Sequence, residues 1–259
     1  MTGRLRGKVA LVTGAGQGIG RGIALALAKE GATVVVAGRT LAKCEQVAKE
    51  LAALGTGTGA GTGTGAEALA LACDVGDRAQ VVNAVERAVE HFGGLDAMVN
   101  NAQSSRQAPL ADVTDADVEE CWRSGALGTL YGMQAALPHL RARGGGVIVN
   151  FGSSAAVDGN ATFGAYAMAK EAIRGLSRVA AREWGQYGIR VNVVVPNALS
   201  PGSERFRDEH PERFARMAAA LPLGRVGDPE LDIGRAVAAL VGDDLGYLTG
   251  ETLRLTGGG

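Results

Sequence analysis

Apolar residues follow two alternating patterns along the chain. Short runs rich in valine, leucine and isoleucine are typical of buried strands, and the longer stretches between them repeat apolar residues with the period of a helix. The predicted strands are Val9–Val12, Thr33–Val36, Leu95–Val99, Val147–Phe151 and Val191–Val195, with weaker candidates at Leu69–Cys73 and Thr252–Leu255. The predicted helices are Ile19–Lys29, Leu41–Leu54, Arg78–His91, Val118–Arg141, Ala165–Trp184 and Leu231–Val241.

Strands that alternate with helices predict an α/β protein in three layers, with helices on both faces of a mostly parallel sheet. The alternation continues along the chain, so we expect one domain over residues 1–259. Two segments interrupt it. The glycine- and threonine-rich residues 55–65 are expected to form a flexible insertion. Residues 198–227 form either a simple connection or a substrate lid. Of these two, we favour the lid.

The composition excludes several classes of function. Apolar residues make up 46% of the chain, charged residues 20%, and the formal net charge is -1, which is typical of a soluble globular protein rather than of one that binds nucleic acid or a membrane. Cys44, Cys73 and Cys121 are far apart and form no pair typical of a disulfide framework or a metal site. We therefore expect a cytoplasmic protein without a bound metal.

A glycine-rich segment follows the first predicted strand. Thr13 is followed by glycines at 14, 16, 18 and 20, and a helix begins near Ile19. Glycines allow a tight turn and a close approach to a pyrophosphate, and the helix N-terminus offers it free N–H groups. The pattern predicts a dinucleotide site that includes Gly14, Gln17, Gly18, Ile19 and Gly20.

The end of the second strand discriminates between the two nicotinamide dinucleotides. An acidic residue there accepts hydrogen bonds from a free ribose 2′-hydroxyl, whereas a basic residue accommodates a 2′-phosphate. Gly38 and Arg39 occupy these positions, so NADP(H) is favoured over NAD(H). Asp74, which follows the third strand and precedes Val75, either bonds to the adenine amino group or caps the next helix.

One tyrosine has a lysine on the same helical face. Lys170 follows Tyr166 by four residues and is the only lysine after Lys49. A phenol has a pKa of about 10, which must fall by about two units, or roughly 3 kcal/mol, before it can take a proton from an alcohol near neutral pH. Burial acts in the opposite direction, so nearby positive charge is required. Ser153, with Ser154 as its rival, follows the fifth strand and is suited to hold a substrate oxygen.

Together these motifs resemble the short-chain dehydrogenase/reductase family. The resemblance rests on the glycine pattern at 13–20, Asn-Asn-Ala at 100–102, Ser153, the Tyr166 and Lys170 pair, and the segment from Pro222 onward. It implies a Rossmann fold with a seven-stranded sheet, and reversible hydride transfer between a nicotinamide and a ketone or secondary alcohol. It also implies that Tyr166 is the general acid and base, that Ser153 orients the substrate oxygen, and that Lys170 binds the ribose and lowers the tyrosine pKa.

The resemblance implies further contacts and an assembly. Beside the dinucleotide it places Asn101, Ala102, Pro196 and Asn197, together with Tyr166 and Lys170. Members of the family are commonly homodimers or homotetramers, joined through the helices that correspond to Val118–Arg141 and Ala165–Trp184.

Three positions depart from the family pattern. Gln103 replaces a glycine after Asn-Asn-Ala, Asn197 replaces a glycine after Pro196, and Gly125 stands in the place of a catalytic asparagine. Asparagine tolerates a left-handed backbone, so Asn197 can keep a glycine turn, whereas Gln103 would be strained in that conformation. The Gln103 side chain either binds substrate or fills space.

Gly125 lies in a helical stretch that also contains Gly128 and Gly132, although each glycine costs a helix about 1 kcal/mol relative to alanine. The family's asparagine helps to hold a water that links the lysine to solvent, largely through its backbone carbonyl at a break in the helix. Gly125 keeps a carbonyl and favours such a break. Gly128 and Gly132 permit close approach of a neighbouring helix or strand.

The leading hypothesis is an NADP(H)-dependent oxidoreductase that interconverts a small-molecule ketone and a secondary alcohol. One alternative, motivated by the three altered positions, is a dinucleotide-binding sensor or scaffold with little or no turnover. Another is a lyase or isomerase that uses the same tyrosine.

Overall fold

A seven-stranded sheet forms the centre of the molecule. The computed structural model describes residues 3–54 and 67–259, so the predicted insertion at 55–65 lies outside the described residues. The sheet has the order β3-β2-β1-β4-β5-β6-β7, and every neighbouring pair is parallel. Its strands are β1 (Val9–Thr13), β2 (Thr33–Gly38), β3 (Ala68–Ala72), β4 (Ala97–Asn100), β5 (Gly146–Phe151), β6 (Ile189–Pro196) and β7 (Thr252–Leu255).

Helices pack on both faces of this sheet. They are α1 (Gly18–Lys29), α2 (Leu41–Leu54), α3 (Arg78–Phe92), α4 (Asp115–Cys121), α5 (Gly128–Ala142), α6 (Ser154–Val157), α7 (Gly164–Trp184), α8 (Pro201–Glu209), α9 (Pro211–Ala219) and α10 (Arg235–Val241). Residues Trp122–Leu127 and Pro229–Gly234 are π-helical, and short 3₁₀ turns occur at Leu110–Asp112 and Gly185–Tyr187. Within the described ranges, no helix is both long and apolar enough to cross a membrane.

The sheet separates two hydrophobic cores, which confirms the three-layer prediction. Successive side chains of a strand point to opposite faces. Ala10 and Val12 of β1 accordingly belong to the core that contains Ile23 of α1, whereas Leu11 belongs to the core that contains Met133 of α5. All five of these side chains are almost completely buried, as expected for strands covered on both faces.

The single helix expected over Val118–Arg141 is in fact interrupted. It consists of α4, the π-helical turn Trp122–Leu127 and α5, so the predicted break at Gly125 is present as a π-helical turn. The helix expected over Leu231–Val241 likewise begins with a π-helical turn before α10. A π-helical turn contains one residue more than an α-helical turn. This extra residue shifts the period of the apolar residues too little for either turn to be recognised from that period.

Gly128 and Gly132 allow α5 to lie close to the loops and strands beneath it. A Cβ atom at Gly128 would lie 2.9 Å from the Val75 carbonyl oxygen, and one at Gly132 would lie 2.7 Å from Cε of Met98 and overlap Oδ1 of Asn100. The prediction that these glycines permit close approach is therefore confirmed, and the approach is to β4 and to the loop after β3.

Residues 198–227 leave the sheet and return to it at one point. Leu199 N donates to Gly227 O at 3.0 Å, and Gly227 N donates to Asn197 O at 3.1 Å. Between these bonds α8 and α9 contain no buried residue. The start of α8 lies against the glycine loop, because a Cβ atom at Gly18 would be 2.9 Å from Cδ of Pro201. A lid function for this segment stays a prediction.

Candidate active site

The glycine loop after β1 has a backbone that other residues would not permit. Gly14 and Gly18 have φ angles of 66° and 53°, in the left-handed region. A Cβ atom at Gly20 would overlap the Gly14 carbonyl oxygen. Because α1 begins at Gly18, the first N–H groups of this helix lack carbonyl partners within it and are free to bind an anion.

Thr13 and Asn101 join the glycine loop to the end of β4. The Thr13 hydroxyl accepts hydrogen bonds from the N–H groups of Asn101 and Ala102 at 3.0 and 3.1 Å. The Asn101 side chain donates to the Thr13 carbonyl oxygen at 2.9 Å. These bonds hold the carboxyl ends of β1 and β4 together, at the point where the strand order reverses and where ligands bind in open α/β sheets.

A cleft of about 330 Å³ opens at this switch point. Most of the residues predicted to bind the dinucleotide line it, whereas Pro196, Asn197, Ser153, Tyr166 and Lys170 do not. The predicted residues that do line it are Gly14, Gln17, Gly18, Ile19, Gly20, Arg39, Asp74, Val75, Asn101, Ala102 and Gln103.

Two cationic side chains flank the end of the cleft beyond β2. Arg39 is exposed and makes no hydrogen bond or ion pair with any other residue that the structure describes. Lys43, in the first turn of α2, donates from Nζ to Oε1 of Gln17 at 2.6 Å. Lys43 was not predicted from the sequence, although its position four residues after Arg39, on the first turn of α2, is a signal for it.

Asp74 does not cap α3, so that alternative is wrong. Its carboxylate accepts from the Gly76 N–H at 3.0 Å. The N-cap of α3 is Asp77, which accepts from the N–H groups of Ala79 and Gln80 at 2.9 and 3.3 Å. Asp74 lies at the wall of the cleft, where its role toward adenine stays a prediction.

Ser153, Tyr166 and Lys170 come together beneath the end of β5. The Lys170 ammonium is buried, donates to the Phe151 carbonyl oxygen at 2.7 Å and lies 5.5 Å from the centre of the Tyr166 ring. The Ser153 hydroxyl, rather than that of its rival Ser154, approaches the Tyr166 phenol as a donor that favours the ionised form and so lowers the Tyr166 pKa. Ser153 occupies the N-cap position of α6 without bonding to the helix, which leaves its hydroxyl free for this contact.

Burial dominates the protonation of both ionisable groups. It lowers the pKa of Lys170 to about 7, because an ammonium loses its hydration there. It raises the pKa of Tyr166, and the hydrogen bond from Ser153 opposes this rise in part. The raised pKa keeps the Tyr166 phenol in its neutral form near pH 7.

Gln103 lies directly above Gly125. A Cβ atom at position 125 would be 2.7 Å from Nε2 and 2.8 Å from Cδ of Gln103. The expected strain at Gln103 is absent, because Thr162 is the only non-glycine residue with positive φ in the described part of the chain. The same observation shows that Asn197 needs no left-handed backbone.

Ser124 ties the loop that carries Gln103 to the π-helical turn. The Ser124 hydroxyl accepts from the Ser104 N–H at 3.1 Å and donates to the Glu120 carbonyl oxygen at 2.7 Å.

No group of three or more histidine, cysteine or carboxylate side chains suited to a metal ion occurs within residues 3–54 and 67–259.

Comparison with known proteins identifies the family of this chain. The family model for short chain dehydrogenases matches residues 8–211. The 12α-hydroxysteroid dehydrogenase of a Clostridium species is 43% identical, over 97% of this chain and 96% of its own length. Versicolorin reductase 1 of Dothistroma septosporum is 36% identical, over 98% and 97%.

The fold also resembles that of a solved hydroxysteroid dehydrogenase. The structure of a 7α-hydroxysteroid dehydrogenase complexed with NADH and 7-oxo glycochenodeoxycholic acid has a TM-score of 0.89 and 31% identity, and the match covers 100% of this chain and 96% of that one. On its sequence and its fold, the chain belongs to the short-chain dehydrogenase/reductase family.

Proposed function

We propose that this protein is an NADP(H)-dependent oxidoreductase that interconverts a ketone and a secondary alcohol, with Tyr166 as its general acid and base. The observation that carries the proposal is the group of Ser153 and Tyr166 with the buried Lys170 at the end of β5. A carbonyl oxygen that becomes an alkoxide needs a proton donor and a second hydrogen bond, and the two hydroxyls supply them.

The residues present fit a nicotinamide dinucleotide. Gly14, Gly18 and Gly20 form a cradle that a Cβ atom would fill, and the α1 N-terminus faces the same cleft. These residues would hold the pyrophosphate, and Arg39 with Lys43 would hold the 2′-phosphate of NADP(H). When bound, the dinucleotide would supply or accept the hydride.

The chain's own residues perform the proton transfer. Ser153 donates a hydrogen bond that orients the substrate oxygen, and Tyr166 gives its phenolic proton to that oxygen during reduction. In the oxidative direction Tyr166 must take a proton, which requires its pKa to fall. Protonation of Lys170 places positive charge near the phenol and favours the tyrosinate.

The substrate we propose is a rigid apolar alcohol or ketone of the hydroxysteroid type. The support is the name of the 43% identical relative, which acts on a 12α-hydroxysteroid, and the 7-oxo bile acid in the similar structure. Phe214 is half-buried and Met217 is exposed, and both lie on α9 within the proposed lid. Their side chains offer apolar surface that could cover such a molecule when the lid closes.

A panel of ketosteroids with NADPH, and of hydroxysteroids with NADP⁺, tests the activity. Tyr166→Phe should lower kcat about 10²–10⁴-fold, the usual contribution of a general acid, while NADPH binding is retained. Tyr247→Phe is the matched control, because Tyr247 is fully exposed. An unchanged kcat in Tyr166→Phe would refute the mechanism.

Titration with NADPH and NADH tests the dinucleotide preference. Arg39→Ala should weaken NADPH binding about tenfold, or about 1.4 kcal/mol, and leave NADH binding unchanged. Arg87→Ala, an exposed change on α3, serves as the control. If Arg39→Ala weakens both cofactors equally, the 2′-phosphate assignment is wrong.

The altered residues at 103 and 125 favour one second candidate, a dinucleotide-binding sensor or scaffold. It predicts tight NADPH binding without turnover on any steroid, ketone or alcohol. Turnover that needs no dinucleotide would instead indicate a lyase or isomerase.

We also infer a homodimer or homotetramer in the cytoplasm. Trp122, Met168 and Val179 expose large apolar surface on the π-helical turn and α7, where the family's contacts are expected. The three cysteines are buried and unpaired, which suits a reducing compartment. Light scattering on the purified protein measures the number of subunits directly, and a monomer would contradict the inferred homodimer or homotetramer.

A further inference from the structure

The carboxamide of Gln103 occupies the space into which a side chain at position 125 would project. The distances from a Cβ atom at 125 to Nε2, Cδ and Oε1 of Gln103 are 2.7, 2.8 and 3.0 Å. Gly128 and Gly132 lie on the same helical stretch, but the atoms above them belong to Val75, Met98 and Asn100. Gly132 also faces a side-chain amide, that of Asn100, but this amide donates to Asn150, whereas the Gln103 amide has no partner in the described residues.

Both polar atoms of this amide are buried. Neither Oε1 nor Nε2 of Gln103 has a hydrogen-bond partner in the part of the chain that the structure describes. A primary amide carries two donors and one acceptor, and burying them unpaired is unfavourable. Buried groups of this kind are ordinarily satisfied by ordered water.

The helical segment beneath the amide packs against α7, the helix that carries the reacting groups. Cys121, one turn before Gly125, packs against Ala165 and Ala169 of α7, which directly precede Tyr166 and Lys170. An ammonium has three donors, and Lys170 uses one of them on the Phe151 carbonyl oxygen. Two donors of Lys170 and the whole Gln103 amide thus have no hydrogen-bond partner among the described residues, and are available to the ribose or to water.

The loop that carries Gln103 is held in place independently of the amide. Ser104 N donates to the Ser124 hydroxyl, which is itself bonded to the Glu120 carbonyl oxygen. Since the anchor is the Ser124 hydroxyl, the Gln103 side chain is not needed to position the loop. A substitution at Gln103 can therefore remove the amide without detaching the loop.

We propose that Gln103 is a positioning residue for proton transfer, and that Gln103 and Gly125 act as a pair in which the Gln103 amide replaces a side chain at 125. The amide holds ordered water on the Lys170 side of the site. The role in catalysis rests on the proposed function. Gln103 lines the cleft, but both polar atoms of its amide are buried, and we therefore assign the amide to ordered water rather than to direct contact with substrate.

The first experiment removes the amide but keeps its length, with Gln103→Met. We expect kcat to fall about tenfold, with the KM for NADPH within about twofold of the native value and a shifted pH profile of kcat. Gln107→Met, an exposed change in the same loop, should leave all three unchanged. A native kcat and pH profile in Gln103→Met would show that Gln103 only fills space.

The second experiment exchanges the two positions. Gly125→Asn should lower kcat, because the new side chain displaces the Gln103 amide, and Gln103→Gly should lower it by removing that amide. The double variant should recover kcat to within about threefold of the native enzyme, since the amide then comes from position 125. If the kcat of the double variant is lowered by the product of the two single-variant factors, the two positions do not act as a pair and the proposal is refuted.

Thermal unfolding gives a readout that does not depend on turnover. If water already satisfies the amide, Gln103→Met should leave Tm unchanged or lower it. A raised Tm would mean that the amide is unpaired in solution and would overturn the inference. If the native protein turns over none of the substrates, the proposed function fails, and this measurement still decides whether the Gln103 amide is hydrogen-bonded.

Discussion

Gly132→Ala tests the closest approach between α5 and the sheet. The added methyl group would overlap Oδ1 of Asn100 and lie 2.7 Å from Cε of Met98. Asn100 is buried and donates to Asn150 Oδ1 at 2.8 Å, and Asn150 in turn donates to Ser177 Oγ at 2.9 Å. The substitution therefore disturbs a buried chain of hydrogen bonds as well as apolar packing.

The expected loss follows from three contributions to the free energy of unfolding. Alanine in place of glycine favours the helix by up to about 1 kcal/mol. Overpacking a buried site costs about 1–3 kcal/mol, and leaving a buried polar group unpaired costs a further 1–3 kcal/mol or so. We therefore expect Gly132→Ala to destabilise the protein by about 1–6 kcal/mol.

Equilibrium unfolding in urea measures this loss. Gly175→Ala is the matched control, because Gly175 also lies inside a helix but has no atom within 4 Å of its added Cβ. The control should be as stable as the native protein or up to about 1 kcal/mol more stable. Equal stability of the Gly132→Ala and Gly175→Ala variants would refute the assigned contact at Gly132.

Three further measurements test other parts of the structure. Because burial lowers the pKa of Lys170 from 10.5 to about 7, the unfolded state binds more protons between these values, and the native protein should gain stability as the pH rises from 7 toward 9. Urea unfolding at several pH values measures this gain, and Lys170→Met should flatten it. The comparison ends near pH 9, because the thiols begin to ionise there in the unfolded chain, whereas burial raises their pKa in the folded protein. Gly22→Ala should lower Tm, since its Cβ would overlap the backbone of Pro229, and an unchanged Tm would contradict this contact. Thr114→Ala removes the N-cap of α4 and should cost about 1 kcal/mol in chemical unfolding, whereas Thr114→Ser should not.

Local patterns in the sequence were sufficient for the architecture. The strands and most of the helices follow from apolar periodicity, which is a property of neighbouring residues. The strand, glycine loop and helix at 9–29 likewise form a contiguous motif. Tyr166 and Lys170 share a helical face because they are four residues apart, so their proximity needed no knowledge of the fold.

Other features depend on contacts between distant segments, and these only the tertiary structure decided. The sequence left Asp74 as a possible cap, but the backbone after β3 turns so that Asp77 meets the α3 N-terminus. Gln103 lies above Gly125 because two separate segments pack together, and periodicity carries no information about such packing. The sequence determined that a dinucleotide-type α/β fold with a Tyr166 and Lys170 pair would form. The burial that lowers the Lys170 pKa, and the amide placed over Gly125, arise only when the sheet, the π-helical turn and α7 pack together.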